Sequence, residues 1–158
     1  MSAPELKKFT GDAEGLISQA ASLLSGQNDL VANAALLSSF LFHSLEDVNW
    51  AGFYFLKDDQ LIVGPFQGLP ACVSIPVGKG VCGAAAQSRQ VMRVPDVQAF
   101  DGHIVCDAAS RSEIVLPLVR NGKLIGVLDL DSPVKNRFGK EDELMLRKIA
   151  SDFVESLS

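Results

Sequence analysis

The stretch from Glu113 to Asp131, EIVLPLVRNGKLIGVLDLD, places two apolar runs on either side of Asn121-Gly122. Asn-Gly between such runs is the strongest short-range hairpin signal, because both central residues of the tight turn need positive φ. Two strands are therefore expected, Glu113 to Arg120 and Lys123 to Asp131. Upstream, Trp50, Phe53 and Phe55 within Val48 to Leu56 read as another strand. Its partner is Leu61 to Phe66, across Lys57-Asp58-Asp59-Gln60. Strands joined by hairpins make an antiparallel sheet.

The flanks read as helices. Ala13 to Leu24 carries Leu16, Ala20, Leu23 and Leu24 at helical spacing and stops at Gly26. A second helix is expected from an Asn28 N-cap to about His43, with Leu30, Ala34, Leu37 and Leu41 on one face. A short one, Val81 to Gln87, follows the turn Gly78-Lys79-Gly80. Val91 to Val94 is a short strand, and Pro95 to Ser112 is a long connection. The last helix runs from about Lys140 to Leu157, with Leu144, Ile149, Phe153 and Leu157 expected inward. This order predicts an α+β fold, with the terminal helices packed together on one side of the sheet.

Composition sets outer bounds. The chain has 158 residues, 47% of them hydrophobic and 21% charged, which is globular and fits one domain spanning 1–158. Such a chain buries about two thirds of its surface on folding, enough for one core. The net charge of −5 repels phosphate backbones and anionic lipid, so neither nucleic acid nor membrane is an expected partner. The first residues lack a secretory pattern, and the most apolar run, Ala34 to Phe42, is too short to span a membrane. A cytoplasmic location is expected. Three cysteines there do not suggest a structural disulfide framework. They leave buried thiols, a metal site or redox chemistry.

Cys106 lies in the long connection between His103 and Asp107, a polar setting where reactive thiols occur. Asp96 and Asp101 lie on the same connection. Cys82, between Val81 and glycines at a helix start, reads more readily as close packing. Cys72, after Pro70-Ala71, is intermediate. Cys72, Cys82, His103 and Cys106 would make a Cys3His set, but the close cysteine pair of structural zinc is absent. Neither metal nor cofactor is expected.

Asp129 and Asp131 project from one face of an apolar strand, about 6.5 Å apart, with Ile125 and Val127 expected before them on that face. Carboxylates there need a cation, a hydrogen-bond donor or a raised pKa. Glu113 opens the partner strand. A plain two-residue turn would pair Arg120 with Lys123 and Ile114 with Asp129, sending Glu113 to the opposite face. For the three to share a pocket, the register must slip by one. A type I turn with a glycine bulge would do this, as would Glu113 turning in from the loop. Trp50 and Tyr54, the only residues of their kinds, read as core or as pocket wall.

Asn49-Trp-Ala-Gly-Phe-Tyr54, Gly64-Pro-Phe-Gln-Gly68, Pro70-Ala-Cys72, Ile75-Pro76, Gly78-Lys-Gly-Val-Cys-Gly83, Val94-Pro-Asp-Val97, Phe100-Asp-Gly-His-Ile-Val-Cys-Asp107, Ser112-Glu-Ile-Val115 and Gly126-Val-Leu-Asp-Leu-Asp-Ser132 occur in that order. Together they resemble the free methionine-(R)-sulfoxide reductases, enzymes of GAF fold. The resemblance covers nearly the whole chain. It implies an antiparallel sheet with helices on one side and a ligand pocket under loops on the other. It implies that Cys106 attacks the sulfoxide and Cys72 resolves the sulfenic acid to a disulfide, with Cys82 a third site cysteine. Glu113, Asp129 and Asp131 would be the acidic substrate residues, and Trp50 and Tyr54 the aromatic wall. Thioredoxin or a similar dithiol would recycle the enzyme, and dimerisation through the helices is expected. The competing readings are a non-enzymatic GAF sensor of a small ligand and an interaction-only protein. The acidic pair and lone Trp speak against the last.

Overall fold

The computed structural model describes residues 12–104, 106 and 109–157. Helix α1, Ala13–Leu24, starts where the Asp12 carboxylate accepts the Gly15 N–H at 3.0 Å. Helix α2, Leu30–Ser44, is capped in the same way by Asp29, which accepts the Ala32 N–H at 2.8 Å. The cap is thus one residue beyond the expected Asn28; both side chains suit an N-cap, and the backbone turns into the helix only at Asp29.

Six antiparallel strands follow: β1 Trp50–Lys57, β2 Gln60–Gly68, β3 Ser74–Pro76, β4 Met92–Val94, β5 Ser112–Arg120 and β6 Lys123–Ser132. They form one sheet in the order β3-β2-β1-β6-β5-β4. Helix α3, Gly80–Ser88, lies between β3 and β4, and α4, Lys140–Ser156, closes the described chain. Among the described residues no helix is long and apolar enough to cross a membrane.

Strand alternation divides the sheet into two faces. Phe53, Ile114, Leu116, Leu118, Leu128 and Leu130 point to one face and pack with α1, α2 and α4. There Phe53 meets Phe153 with ring centroids 4.6 Å apart. Burying side chains of this size stabilises by about 1.5–3 kcal/mol each. The inward residues of α4 are Met145, Leu146, Ile149, Ala150 and Phe153, with Leu157 packed against them. Leu144, expected inward, is 59% exposed. The buried stripe runs through the residue on either side of the 3.6-residue step, which leaves Leu144 on the solvent edge.

Tyr54, Val115 and Val127 point to the second face, packing with Leu61, Ile75 and the α3 residues Val81, Cys82, Ala85 and Ala86. The long connection stays near this face. It contains the 3₁₀ turn Val97–Ala99 and is tied to β6 because Val97 N–H donates to Arg111 O and Arg111 N–H to Ser132 O.

The β5–β6 hairpin carries the required register slip by a different device. Asn121 and Gly122 both have positive φ, 51° and 78°, so the turn is the plain two-residue type and Arg120 pairs with Lys123. The slip comes later, between Leu118 and Val119, where Leu118 pairs with Gly126 and Val119 with Leu124. Ile125 is the extra residue, a bulge within β6. Beyond it Glu113 pairs with Asp131 and Val115 with Asp129, so all three carboxylates point to the second face. The same bulge sends Ile125 to the helix side and leaves Leu124 on the pocket side, correcting the expected placement of Ile125 beside Val127.

Candidate active site

A pocket opens on the second face. Its floor is Glu113 from β5 with Asp129 and Asp131 from β6; its walls include Trp50 and Tyr54 from β1, Ile75 from β3 and Val81 and Cys82 from α3. Pro70, Ala71, His103, Ile104, Cys106 and Ser110 bring the loops over it. The β1–β6 register sets Trp50 directly opposite Asp131 and Gly52 opposite Asp129. Gly52 is required there, since a Cβ would press on Phe66 and come within 2.9 Å of Pro65 O on β2.

The aromatics are fixed at both ends. Trp50 is stacked between Tyr54 and Phe66, at centroid distances of 5.7 and 5.2 Å. Its indole N–H donates to Leu69 O at 3.2 Å. The Tyr54 hydroxyl donates to Cys72 O, also at 3.2 Å. The aromatic wall therefore also holds the loop that carries Cys72.

Cys72 and Cys106 are joined by a disulfide with Cα atoms 5.3 Å apart. Both are half-buried. With the bond formed, the remaining cavity is about 50 Å³, room for a few waters. Cys82 is free and buried, and its Sγ lies 3.9 Å from Glu113 Oε2.

Comparison with known proteins places the chain in a family. The GAF domain family profile matches residues 5–157. Protein YtsP of Bacillus subtilis is 53% identical over 159 residues, 97% of this chain and 98% of that protein. Free methionine-R-sulfoxide reductase of Escherichia coli is 54% identical over 136 residues, 86% of this chain and 82% of that protein. The chain belongs to the GAF-domain family, among its free methionine-(R)-sulfoxide reductases. A solved structure of fRMsr of Staphylococcus aureus in complex with substrate superposes on this GAF fold with a TM-score of 0.90 at 43% identity, covering 97% of this chain and 100% of that one.

The electrostatics of this GAF pocket are those of acids crowded out of water. Burial, then the neighbouring Asp129, pushes the Glu113 carboxyl well above its usual range. Burial, then Asp131, does the same to Asp129. The two carboxyls are within hydrogen-bonding reach of each other and of Asp131. Two buried like charges at that distance do not both ionise readily, so the pair retains a proton. Cys82 is raised by burial first and by Asp129 next, so it is a thiol and not a thiolate at neutral pH. Tyr54 is raised by burial and then by Asp129, and remains a donor.

Every candidate site residue among Cys72, Cys82, Cys106, Trp50, Tyr54, Glu113, Asp129 and Asp131 meets this pocket or the disulfide at its mouth. Cys82 is buried, as packing would have it, but against carboxylates. The Cys3His metal set is not available in this state, because two of its sulfurs are bonded to each other. His103 lines the pocket, yet burial lowers its pKa and so works against a positive charge beside Cys106. Asp107 lies outside the described residues. Sequence reasoning missed Phe66, the backing of Trp50, although it lies within Gly64-Pro-Phe-Gln-Gly68, whose glycines and proline mark an irregular strand.

Proposed function

We propose that this chain reduces free L-methionine (R)-sulfoxide to L-methionine, a repair activity under oxidative stress. The observation that carries the reading is the Cys72–Cys106 disulfide at the mouth of a pocket floored by three carboxylates and walled by Trp50.

Cys106 is assigned as nucleophile. Its thiolate attacks the sulfoxide sulfur, and the oxygen takes up a proton. Methionine departs with its sulfur reduced, and Cys106 is left as a sulfenic acid. The Cys72 thiol attacks the Cys106 sulfur and water leaves. In sum, one sulfoxide and two thiols give one thioether, one disulfide and one water. The proton comes from the Glu113–Asp129 pair, which burial keeps partly protonated. The carboxylates do not activate Cys106, since negative charge disfavours a thiolate.

Three carboxylates exceed what a thioether sulfoxide needs. The excess fits an α-ammonium group, which a peptide bond would remove. A charge-assisted hydrogen bond to it is worth about 1.5–3 kcal/mol, and its loss would also strand a buried carboxylate. Together these give at least about a hundredfold discrimination at 1.4 kcal/mol per decade. The α-carboxylate is assigned to backbone N–H groups of the 101–106 loop; His103 N–H already donates to Phe100 O, and residue 105 lies outside the described set. With the methyl against Trp50 and the amino-acid end held, one epimer alone aims oxygen at the acids and sulfur at Cys106. We assign the chain one GAF domain over 1–158, a cytoplasmic location, thioredoxin or a similar dithiol as reductant, and a homodimeric state.

The test is turnover of free R, free S and N-acetyl R methionine sulfoxide side by side with dithiothreitol. Turnover of the free R form alone is expected. Comparable rates on the acetylated compound would defeat the ammonium argument, and equal rates on R and S would defeat the held geometry.

A further inference from the structure

We propose that the pocket floor is also a binding site for a thiophilic divalent cation such as Zn²⁺, held by Cys82, Glu113 and Asp129, and that the bound cation excludes substrate. The Cys82 sulfur and one oxygen from each carboxylate all lie within 4.8 Å of one another. Bond lengths of about 2.3 Å to sulfur and 2.0–2.2 Å to oxygen place tetrahedral ligands about 3.5 Å apart. The Cys82 Sγ to Glu113 Oε2 distance of 3.9 Å is close to that. The three donors come from α3, β5 and β6, all regular elements, so the set is held by the fold and not by a loop.

A second observation bears on the same cluster. Asp129 is 4% exposed, and its Oδ1 has no hydrogen-bond partner. A buried carboxylate oxygen that no protein N–H or O–H reaches is costly unless a proton or a metal ion meets it, and a bound cation would take the place of the proton that the carboxyl pair retains. Neither Lys nor Arg is among the described residues lining the pocket. One thiolate and two carboxylates match Zn²⁺ and its analogues Co²⁺ and Cd²⁺; Mg²⁺ and Ca²⁺ lack affinity for the sulfur. Three protein ligands leave a fourth position for water. The ligands shed their protons on binding, and no electron moves. The set uses neither Cys72 nor Cys106, so the disulfide form binds the cation too.

Exclusion of substrate rests on the proposed function, in which Glu113 and Asp129 face the sulfoxide; cation binding itself does not. The probe is Co²⁺ titrated into the oxidised full chain, followed by its thiolate charge-transfer absorption. A saturable band is expected, displaced by Zn²⁺, absent in Cys82→Ser, and with at least tenfold weaker Co²⁺ binding in Asp129→Asn. No band at millimolar Co²⁺ would overturn the site, as would a band unchanged in both variants. A band seen only after reduction and surviving in Cys82→Ser would place the metal on Cys72 and Cys106 instead. In turnover assays Zn²⁺ should raise KM at least tenfold with kcat unchanged. Binding to the oxidised chain without that rise would overturn the exclusion and the assignment of these acids to substrate, while leaving the metal site standing.

Discussion

Replacing Glu113 by Gln should stabilise the protein at neutral pH while lowering its activity. Glu113 is 7% exposed, and Gln preserves its shape. Burial and Asp129 raise its carboxyl above the ordinary 4.5, and Asp129 is itself raised above 3.8. An acid whose folded pKa is raised stabilises the native state below its unfolded pKa, and that contribution is lost as pH climbs toward the folded one. Each pH unit across which the native state holds one more proton than the unfolded chain costs about 1.4 kcal/mol. From pH 5 to pH 7 one retained proton therefore costs about 2.7 kcal/mol. At roughly 2–4 °C per kcal/mol for a chain this size, that is about 5–11 °C in Tm. Gln holds no such proton, so the Tm advantage of Glu113→Gln over wild type should widen between pH 5 and pH 7, by at most that amount because buried Asp129 beside Asp131 is itself raised. Asp129→Asn should behave alike. Thermal melts of the three proteins at both pH values measure it. An advantage that stays constant or shrinks as pH rises would refute the claim that these carboxyls hold protons in the folded state.

Three further outcomes follow from the same geometry. Cys106→Ser should abolish turnover, while Cys72→Ser should complete one turnover and stall with Cys106 oxidised, rescued slowly by Cys82 or added thiol; mass spectrometry of trapped species checks both. Tyr54→Phe removes the hydrogen bond to Cys72 O, worth about 0.5–1.5 kcal/mol, and should slow disulfide formation about two- to twelvefold while leaving the sulfenic acid step alone in rapid-quench thiol counts. Gly52→Ala drives a Cβ into the β2 backbone at Pro65 and Phe66, where neither strand can yield, and should cost about 3 kcal/mol in urea unfolding.

Most of the fold was legible because its signals are local. Asn121-Gly122 specified a two-residue turn, and the alternation of Ile114, Leu116 and Leu118 against Glu113 and Val115 specified two faces. The bulge at Ile125 was legible only as a requirement. Shared use of Glu113, Asp129 and Asp131 demanded a slip, but nothing in Lys123-Leu-Ile-Gly126 marks which residue is extra. Gly126 was the available signal: a glycine inside a strand marks close backbone approach, and a Cβ there would press on Tyr54 O. Asn28 and Asp29 cap equally well in isolation, so residue type alone did not choose between them. The environment of Cys82 was hidden for a different reason. Val81 and Gly83 describe a packed helix start, whereas the carboxylates that surround its sulfur arrive from β5 and β6, brought there by sheet register alone.

The most direct test of the central claim is a thiol count on the reduced chain after one equivalent of free methionine (R)-sulfoxide, without reductant. The account predicts that three titratable thiols become one, that the survivor is Cys82, and that peptide mapping finds a Cys72–Cys106 bridge. Three thiols remaining would make this GAF domain a ligand sensor, and a dominant Cys72–Cys82 bridge would overturn the assignment of Cys106.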